Sequence, residues 1–483
     1  MLIGRENETK KLKELYNSDS AEFVAVYGRR RVGKTFLVEE TFGNRITFRH
    51  AGLSPIDGVH RSRGRMKDQL LNFHRSLVLS GADNAKMPQS WLEAFYMLED
   101  LLLKLDDGHS RQLVFIDEIQ WMDTPKSGFM TGLEAFWNGW ACHRHNVMLI
   151  VCGSSSSWVL DKLINNHGGL YGRLTHQLEL KPFSLRECEE FFSAKGIVMS
   201  RYDIVQAYMA VGGIPYYLRY FEKTRSLPQN IQVIYFAENA PLRFEFDKLF
   251  ASLFSNAEVM KSIIMALAER NAGLTREEIL LKTGIANSGE FSGYLMTLIS
   301  GGFIIKYCSF GSGKRDALYK LADPFCIFYL RFVSEGGKRR LGNWINASDQ
   351  PSVISWRGFA FENVCFNHIR QIKAALGVSG VVTEESLWSK RGTEDSKGTQ
   401  IDLLINRKDN VLNMCEIKFC SDLFAVDKEY HFTLIRRKEL LREMIPKRAS
   451  IHSTLITTYG VKYNEYSGDF ISVVTLDDLF REV

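Results

Sequence analysis

The 483-residue sequence predicts an α/β protein with a parallel-sheet domain first, then a helical region, a three-helix unit closed by a hairpin, and a second α/β domain. Three observations predict this. Short apolar runs alternate with amphipathic stretches over about the first 200 residues, the pattern of a sheet covered by helices. A glycine-rich turn, Gly28 to Thr35, lies between one apolar run and a helical stretch. Beyond Pro351, two apolar strands flank the short polar loop Lys408-Asp409-Asn410.

Composition sets the bounds. Hydrophobic residues make up 45%, charged residues 24% and aromatics 12%, which excludes a disordered or fibrous chain and allows a large core. The formal net charge of +5 permits nucleic acid as a partner without demanding it. The eight cysteines are scattered, with no CxxC pair, and read as small core residues of a reducing compartment. No apolar run approaches the roughly 18 residues a membrane span needs, so the expectation is a cytoplasmic protein with no membrane partner.

The elements follow in order. Phe23-Val24-Ala25-Val26-Tyr27, Leu113 to Ile116 and Val147 to Cys152 read as buried strands, and Leu178-Glu179-Leu180 as a weaker fourth, giving a core domain over 1–182. Residues 183–254 turn helical. Residues 255–325 begin with a helix near Glu258 to Arg270 and continue with Thr275 and Glu278 as a capping box. A third helix, Gly289 to Ser300, precedes a hairpin tipped by Lys314 and Arg315, a winged-helix arrangement. Residues 326–350 read as a linker carrying Lys338-Arg339-Arg340, and 351–483 as the last α/β domain, with a helix near Asp427 to Met444.

Gly28-Arg29-Arg30-Arg31-Val32-Gly33-Lys34-Thr35 fits GxxxxGK[ST]. Its glycines let backbone N–H groups turn toward phosphate oxygens, Lys34 reaches the β- and γ-phosphates, and the Thr35 hydroxyl ligates Mg2+. Asp117, leaving the strand Leu113 to Ile116, would hold the same Mg2+, and Glu118 would orient or deprotonate the attacking water. The expected cofactors are therefore ATP and Mg2+. Ser154, at the tip of the strand ending at Cys152, either positions that water or belongs to a Ser-rich turn. Arg173 either stabilises transferring phosphate charge, within the chain or from a neighbouring subunit, or is a surface arginine.

At the C-terminus, a hairpin with Lys408-Asp409-Asn410 as its loop sets Asp402 opposite Glu416, with Lys418 on the Glu416 face. Two facing carboxylates repel unless a cation lies between them, and oxygen ligands suit Mg2+. Lys418 would then orient water or stabilise charge on a phosphorus centre. Lys314-Arg315, Lys338-Arg339-Arg340 and Arg436-Arg437-Lys438 are basic clusters suited to DNA phosphates, or else solvated faces.

Together Gly28 to Thr35, Asp117-Glu118, Ser154, Arg173 and Gly212-Gly213-Ile214-Pro215 resemble the AAA+/STAND-related ATPases known as the archaeal-type ATPase family, over residues 1–325. The resemblance implies a P-loop ATPase core with a helical lid. It makes Ser154 the sensor and Arg173 the finger arginine of a homo-oligomer, and it brings Gly213 and Pro215 of the lid to the nucleotide. Residues 351–483 are similar to the PD-(D/E)xK, restriction-endonuclease-like fold that accompanies such ATPases in the domain of unknown function 234 group. That likeness implies that Glu362 completes a site with Asp402, Glu416 and Lys418, although no proline precedes Asp402 here. The expected function is an ATP-hydrolysing protein acting on DNA. The alternative is a nucleotide-gated switch or scaffold whose C-terminal domain is catalytically silent; a small-molecule kinase fits the Asp117-Glu118 pair less well.

Overall fold

The computed structural model describes residues 2–54, 66–83, 85–154, 156–165, 168–311, 317–334, 343–347, 350–390 and 398–483. They divide into two units, Met1–Pro182 with Lys248–Ala257, and Phe183–Asp247 with Glu258–Val483. The hairpin tip with Lys314 and Arg315, and the Lys338-Arg339-Arg340 cluster, lie outside the described residues.

The first unit is built on five parallel strands: β1 (Glu22–Tyr27), β2 (Ile46–Ala51), β3 (Gln112–Asp117), β4 (Val147–Gly153) and β5 (His176–Glu179). Their order is β2-β3-β4-β1-β5. β1, β3 and β4 are apolar because helices cover both their faces, and every residue of β3 and β4 is buried. The helices are α1 (Glu6–Tyr16), α2 (Lys34–Phe42), α3 (Met66–Leu79), α4 (Trp91–Leu105), α5 (Phe129–Gly139) and α6 (Ser156–Val159). A buried aromatic cluster, in which Trp91 meets Phe73 and Phe129 edge-on, ties α3, α4 and α5 together. Since β4 lies between β1 and β3, the C-terminal ends of three adjacent strands deliver Gly28, Ser154 and Asp117 to one edge of the sheet. That edge is where open α/β sheets take ligands.

The second unit starts with α7 (Leu185–Ala194), α8 (Arg201–Val211), α9 (Pro215–Leu218) and α10 (Leu227–Ile231). α11 (Glu245–Leu253) falls mostly in the Lys248–Ala257 part of the first unit, and the second unit resumes with α12 (Ala257–Ala268), β6 (Leu274–Thr275), α13 (Arg276–Thr283), α14 (Gly289–Ser300), β7 (Ile304–Tyr307) and β8 (Leu318–Leu321). The three strands form an antiparallel sheet ordered β6-β8-β7. The Thr275–Glu278 capping box opens α13.

The segment read as a linker is corrected here. Its start continues α15 (Pro324–Phe328), and Phe328 and Phe332 pack with Trp344 and Trp356 at ring separations of 4.9–5.5 Å. Aromatic burial on this scale makes the described part of the segment core rather than a tether. The chain then forms α16 (Pro351–Asn367), α17 (Ile369–Ala375), β9 (Thr383–Lys390), β10 (Thr399–Arg407), β11 (Val411–Lys418), α18 (Lys428–Arg442), β12 (Ser450–Thr457), β13 (Ser472–Val474) and α19 (Leu476–Leu479). The sheet order is β13-β12-β11-β10-β9, antiparallel from β9 to β11 and parallel beyond. No helix among the described residues is long and apolar enough to cross a membrane.

Candidate functional site

The loop after β1 is shaped by its glycines. Gly28 has φ 142°, and a Cβ there would lie 2.2 Å from the Leu180 carbonyl oxygen, so no larger residue fits. Arg31 and Gly33 also have positive φ, curling the chain into the N-terminus of α2. Lys34 is buried, and its Nζ donates to the carbonyls of Gly28 and Arg29 at 2.9 Å each. Burial pulls its pKa down, while Glu118 and Asp117 work against that fall. The Thr35 hydroxyl donates to Asp117 Oδ2 at 2.7 Å, joining the start of α2 to the end of β3. Burial raises the Asp117 carboxyl, and the Thr35 hydrogen bond opposes the rise.

Glu118 has left-handed backbone with φ 47°, which swings its side chain away from the β3 direction. Its Oε2 accepts from the Ser154 hydroxyl at 2.6 Å and from Gln120 Nε2 at 2.5 Å, and Gln120 also donates to Ser154 at 3.0 Å. Gln120 was not anticipated; its only sequence signal is its position two residues beyond Glu118. Thus Lys34, Thr35, Asp117, Glu118 and Ser154 converge, whereas Arg173 is exposed in the turn before β5. Arg29 is buried, and Arg30 lies over the Trp121 ring at 5.9 Å. Val32 is buried in the same loop.

Gly213 and Pro215 belong to the second unit. Gly213 has φ 62°, and a Cβ there would meet the Phe183 carbonyl oxygen at 2.4 Å, so local packing alone requires glycine. Pro215 occupies the first turn of α9, where a missing N–H costs nothing.

The C-terminal constellation assembles on β10, β11 and α16. Pairs Leu403↔Cys415 and Asn406↔Leu412 fix the hairpin register, and Asn410 takes the left-handed position its three-residue loop needs. Continuing that register sets Asp402 opposite Glu416. Asp402 Oδ2 accepts from the Ile417 N–H at 2.9 Å. Glu416 is fully buried; its Oε2 accepts from the Tyr430 hydroxyl at 2.7 Å and from Arg437. Lys418 Nζ lies 3.7 Å from Asp402 and 3.8 Å from Glu416, so the protein's own ammonium supplies the cation between the facing carboxylates. Glu362 on α16 is buried nearby, its pKa pushed up to about 7 by burial and then by Asp402. Burial likewise raises Glu416.

Among the described residues no group of three or more His, Cys, Asp or Glu is arranged to hold a metal ion, and the carboxylates of Asp402 and Glu416 stand as a pair. Nor is the Arg436-Arg437-Lys438 run simply a solvated basic face: Arg437 turns to buried Glu416, and Lys438 donates to the Asp469 carbonyl at 3.4 Å. Glu416 Oε1, buried and without a hydrogen-bond partner among the described residues, leaves one oxygen of the pair suited to a further cation.

Comparison with known proteins agrees with the first unit's architecture. Residues 2–221 match the family profile of an ATPase domain predominantly from Archaea. An uncharacterised protein of Methanocaldococcus jannaschii is 28% identical over 455 residues, 91% of this chain and 92% of that protein. An uncharacterised ATP-binding protein of the same organism is 38% identical over 45 residues, 9% of this chain and 76% of that one. The solved Walker-type ATPase of Pyrococcus abyssi aligns with a TM-score of 0.50 at 20% identity, over 68% of this chain and 96% of that chain, a likeness of fold.

Proposed function

Since residues 2–221 are an ATPase domain of the archaeal type, we propose that this chain binds and hydrolyses ATP with Mg2+ at the loop Gly28 to Thr35, and that turnover governs a DNA-binding, nuclease-like C-terminal domain. The observation that carries the ATP reading is the 2.7 Å Thr35–Asp117 contact beside buried Lys34. Lys34 exchanges the carbonyls of Gly28 and Arg29 for β- and γ-phosphate oxygens. Thr35 and Asp117 hold Mg2+, which when bound neutralises charge on the β- and γ-phosphates. Glu118, steadied by Ser154 and Gln120, orients the attacking water and takes its proton. Arg173 serves a neighbouring copy, and Gly213 and Pro215 form the lid element facing the nucleotide. Fluorescent-ATP binding with and without Mg2+ tests this: Lys34→Ala should lose binding, and Asp117→Asn its Mg2+ dependence.

In the same reading, residues 255–325 are a winged helix and 351–483 a PD-(D/E)xK-type module. Asp402 and Glu416 take a divalent cation, which when bound polarises a phosphodiester. Lys418 stabilises the charge developing on phosphate, and Glu362 completes the acidic site. A silent DNA clamp is the second reading, favoured by the Arg437 and Tyr430 hydrogen bonds that already occupy Glu416 Oε2. Supercoiled DNA incubated with Mg2+ or Mn2+, with and without ATP, separates them. Cleavage lost in Glu416→Gln supports the nuclease; no cleavage beside intact ATPase activity supports the clamp.

A further inference from the structure

Beyond Lys418 and Arg437, one more cation among the described residues reaches the C-terminal carboxylates. Lys320, on β8 of the three-stranded sheet, is only 4% exposed. Its Nζ lies 3.7 Å from Glu362 Oε2 and 5.3 Å from the centre of the Phe366 ring, one turn along α16. A lysine in a short strand of a hairpin normally faces water, and burying its ammonium is costly unless a charge partner is fixed in place. Here the partner comes from a different sheet's neighbourhood: Glu362 is held over β11 by α16, where Phe361 packs on Phe419 at 5.2 Å. Lys320 also lines a cavity of about 780 Å³ shared with Glu269 and Arg270.

Three carboxylates, Glu362, Asp402 and Glu416, thus face three protein cations, Lys320, Lys418 and Arg437. Lys418 belongs to the strand that carries Glu416, and Arg437 to the helix beyond it. Lys320 alone is delivered from the preceding three-helix unit. We propose that Lys320 is a positioning residue that acts as a removable counter-ion: it engages Glu362 beside the Asp402–Glu416 pair, and loading of a divalent cation requires the Lys320–Glu362 contact to open. The proposal rests on the reading that Asp402 and Glu416 take a divalent cation. Through β8 it couples the three-helix unit to the state of that site.

The test is Mn2+ binding to the nucleotide-free full-length chain, by calorimetric titration, with the Asp402→Asn/Glu416→Gln double variant identifying binding at this site. Lys320→Gln removes the charge and should tighten Mn2+ by about ten-fold, a coupling of ordinary size, whereas Lys320→Arg should leave it near wild type. A purely structural ion pair predicts equal affinity in all three proteins and overturns the proposal while leaving the cation reading intact. Absence of Mn2+ binding in every protein overturns both. A measurement on the wild-type chain guards against misfolded variants: Lys320 should be protected from acetic anhydride without metal and acetylated several-fold faster with saturating Mn2+. Protection unchanged by Mn2+ contradicts the proposal.

Discussion

Replacing Gly28 by alanine places a methyl group where the backbone itself stands. The added Cβ would lie 2.2 Å from the Leu180 oxygen, against 3.4 Å for an ordinary contact, so one segment must retreat by about 1.2 Å. Leu180 resists, because its N–H donates to the Tyr27 carbonyl at 2.7 Å. A left-handed φ at a residue with a Cβ costs roughly 1–3 kcal/mol, and forced overpacking about 1–3 kcal/mol more. Taking about 3 kcal/mol, the melting temperature of the first unit should fall by roughly 6–12 °C. Gly33 supplies the internal control: its φ is 95°, but nothing lies within 4 Å of a Cβ. Gly33→Ala therefore incurs only the backbone term, about 1–2 kcal/mol. Circular-dichroism melts of the three proteins, with fluorescent-ATP titration of each, read both effects. Equal destabilisation by the two substitutions, or an unshifted Gly28→Ala melt, would refute the reasoning.

Other expectations follow from single contacts. Ser154→Ala removes one of the two donors steadying Glu118; the turnover number for ATP should fall on the order of 10- to 100-fold with nucleotide affinity unchanged, read by steady-state phosphate release. His368 accepts from the Leu185 N–H at 3.0 Å, while its Nδ1 donates to the Val364 carbonyl at 2.8 Å. It must therefore be neutral, and burial pulls its pKa down from 6.5 to about 4. The unfolded chain binds this proton first as pH falls, so stability from this group is complete above pH 6.5 and is lost toward pH 4. Between pH 6.5 and 5 the loss is about 2 kcal/mol, and urea unfolding of His368→Gln should lack that part of the slope.

The phosphate loop was legible because each residue type answers a backbone demand at fixed spacing: Gly28 and Gly33 for φ, Lys34 and Thr35 for the ligand. The β10–β11 hairpin was legible for a similar reason, since Lys408-Asp409-Asn410 sets a register that the apolar alternation then confirms. β2 was missed because Ile46–Ala51 carries Arg49 and His50; it lies at the sheet edge, pairing only with β3, and its burial alternates. Phe328, Phe332 and Trp344 were hidden beside a Gly-rich basic run that reads as a connection. Lys320 and Arg437 were invisible as site residues because local pattern assigns a lysine in a hairpin and an arginine in a basic run to solvent. Only the packing of α16 and α18 against the sheet turns both toward carboxylates.

ATP hydrolysis by Glu118→Gln, measured beside wild type and Lys34→Ala, tests the central claim most directly. The account predicts Mg2+-dependent phosphate release by wild type, retained ATP binding with turnover reduced at least about 100-fold in Glu118→Gln, and neither binding nor turnover in Lys34→Ala. Turnover in Glu118→Gln or Lys34→Ala matching wild type would contradict it.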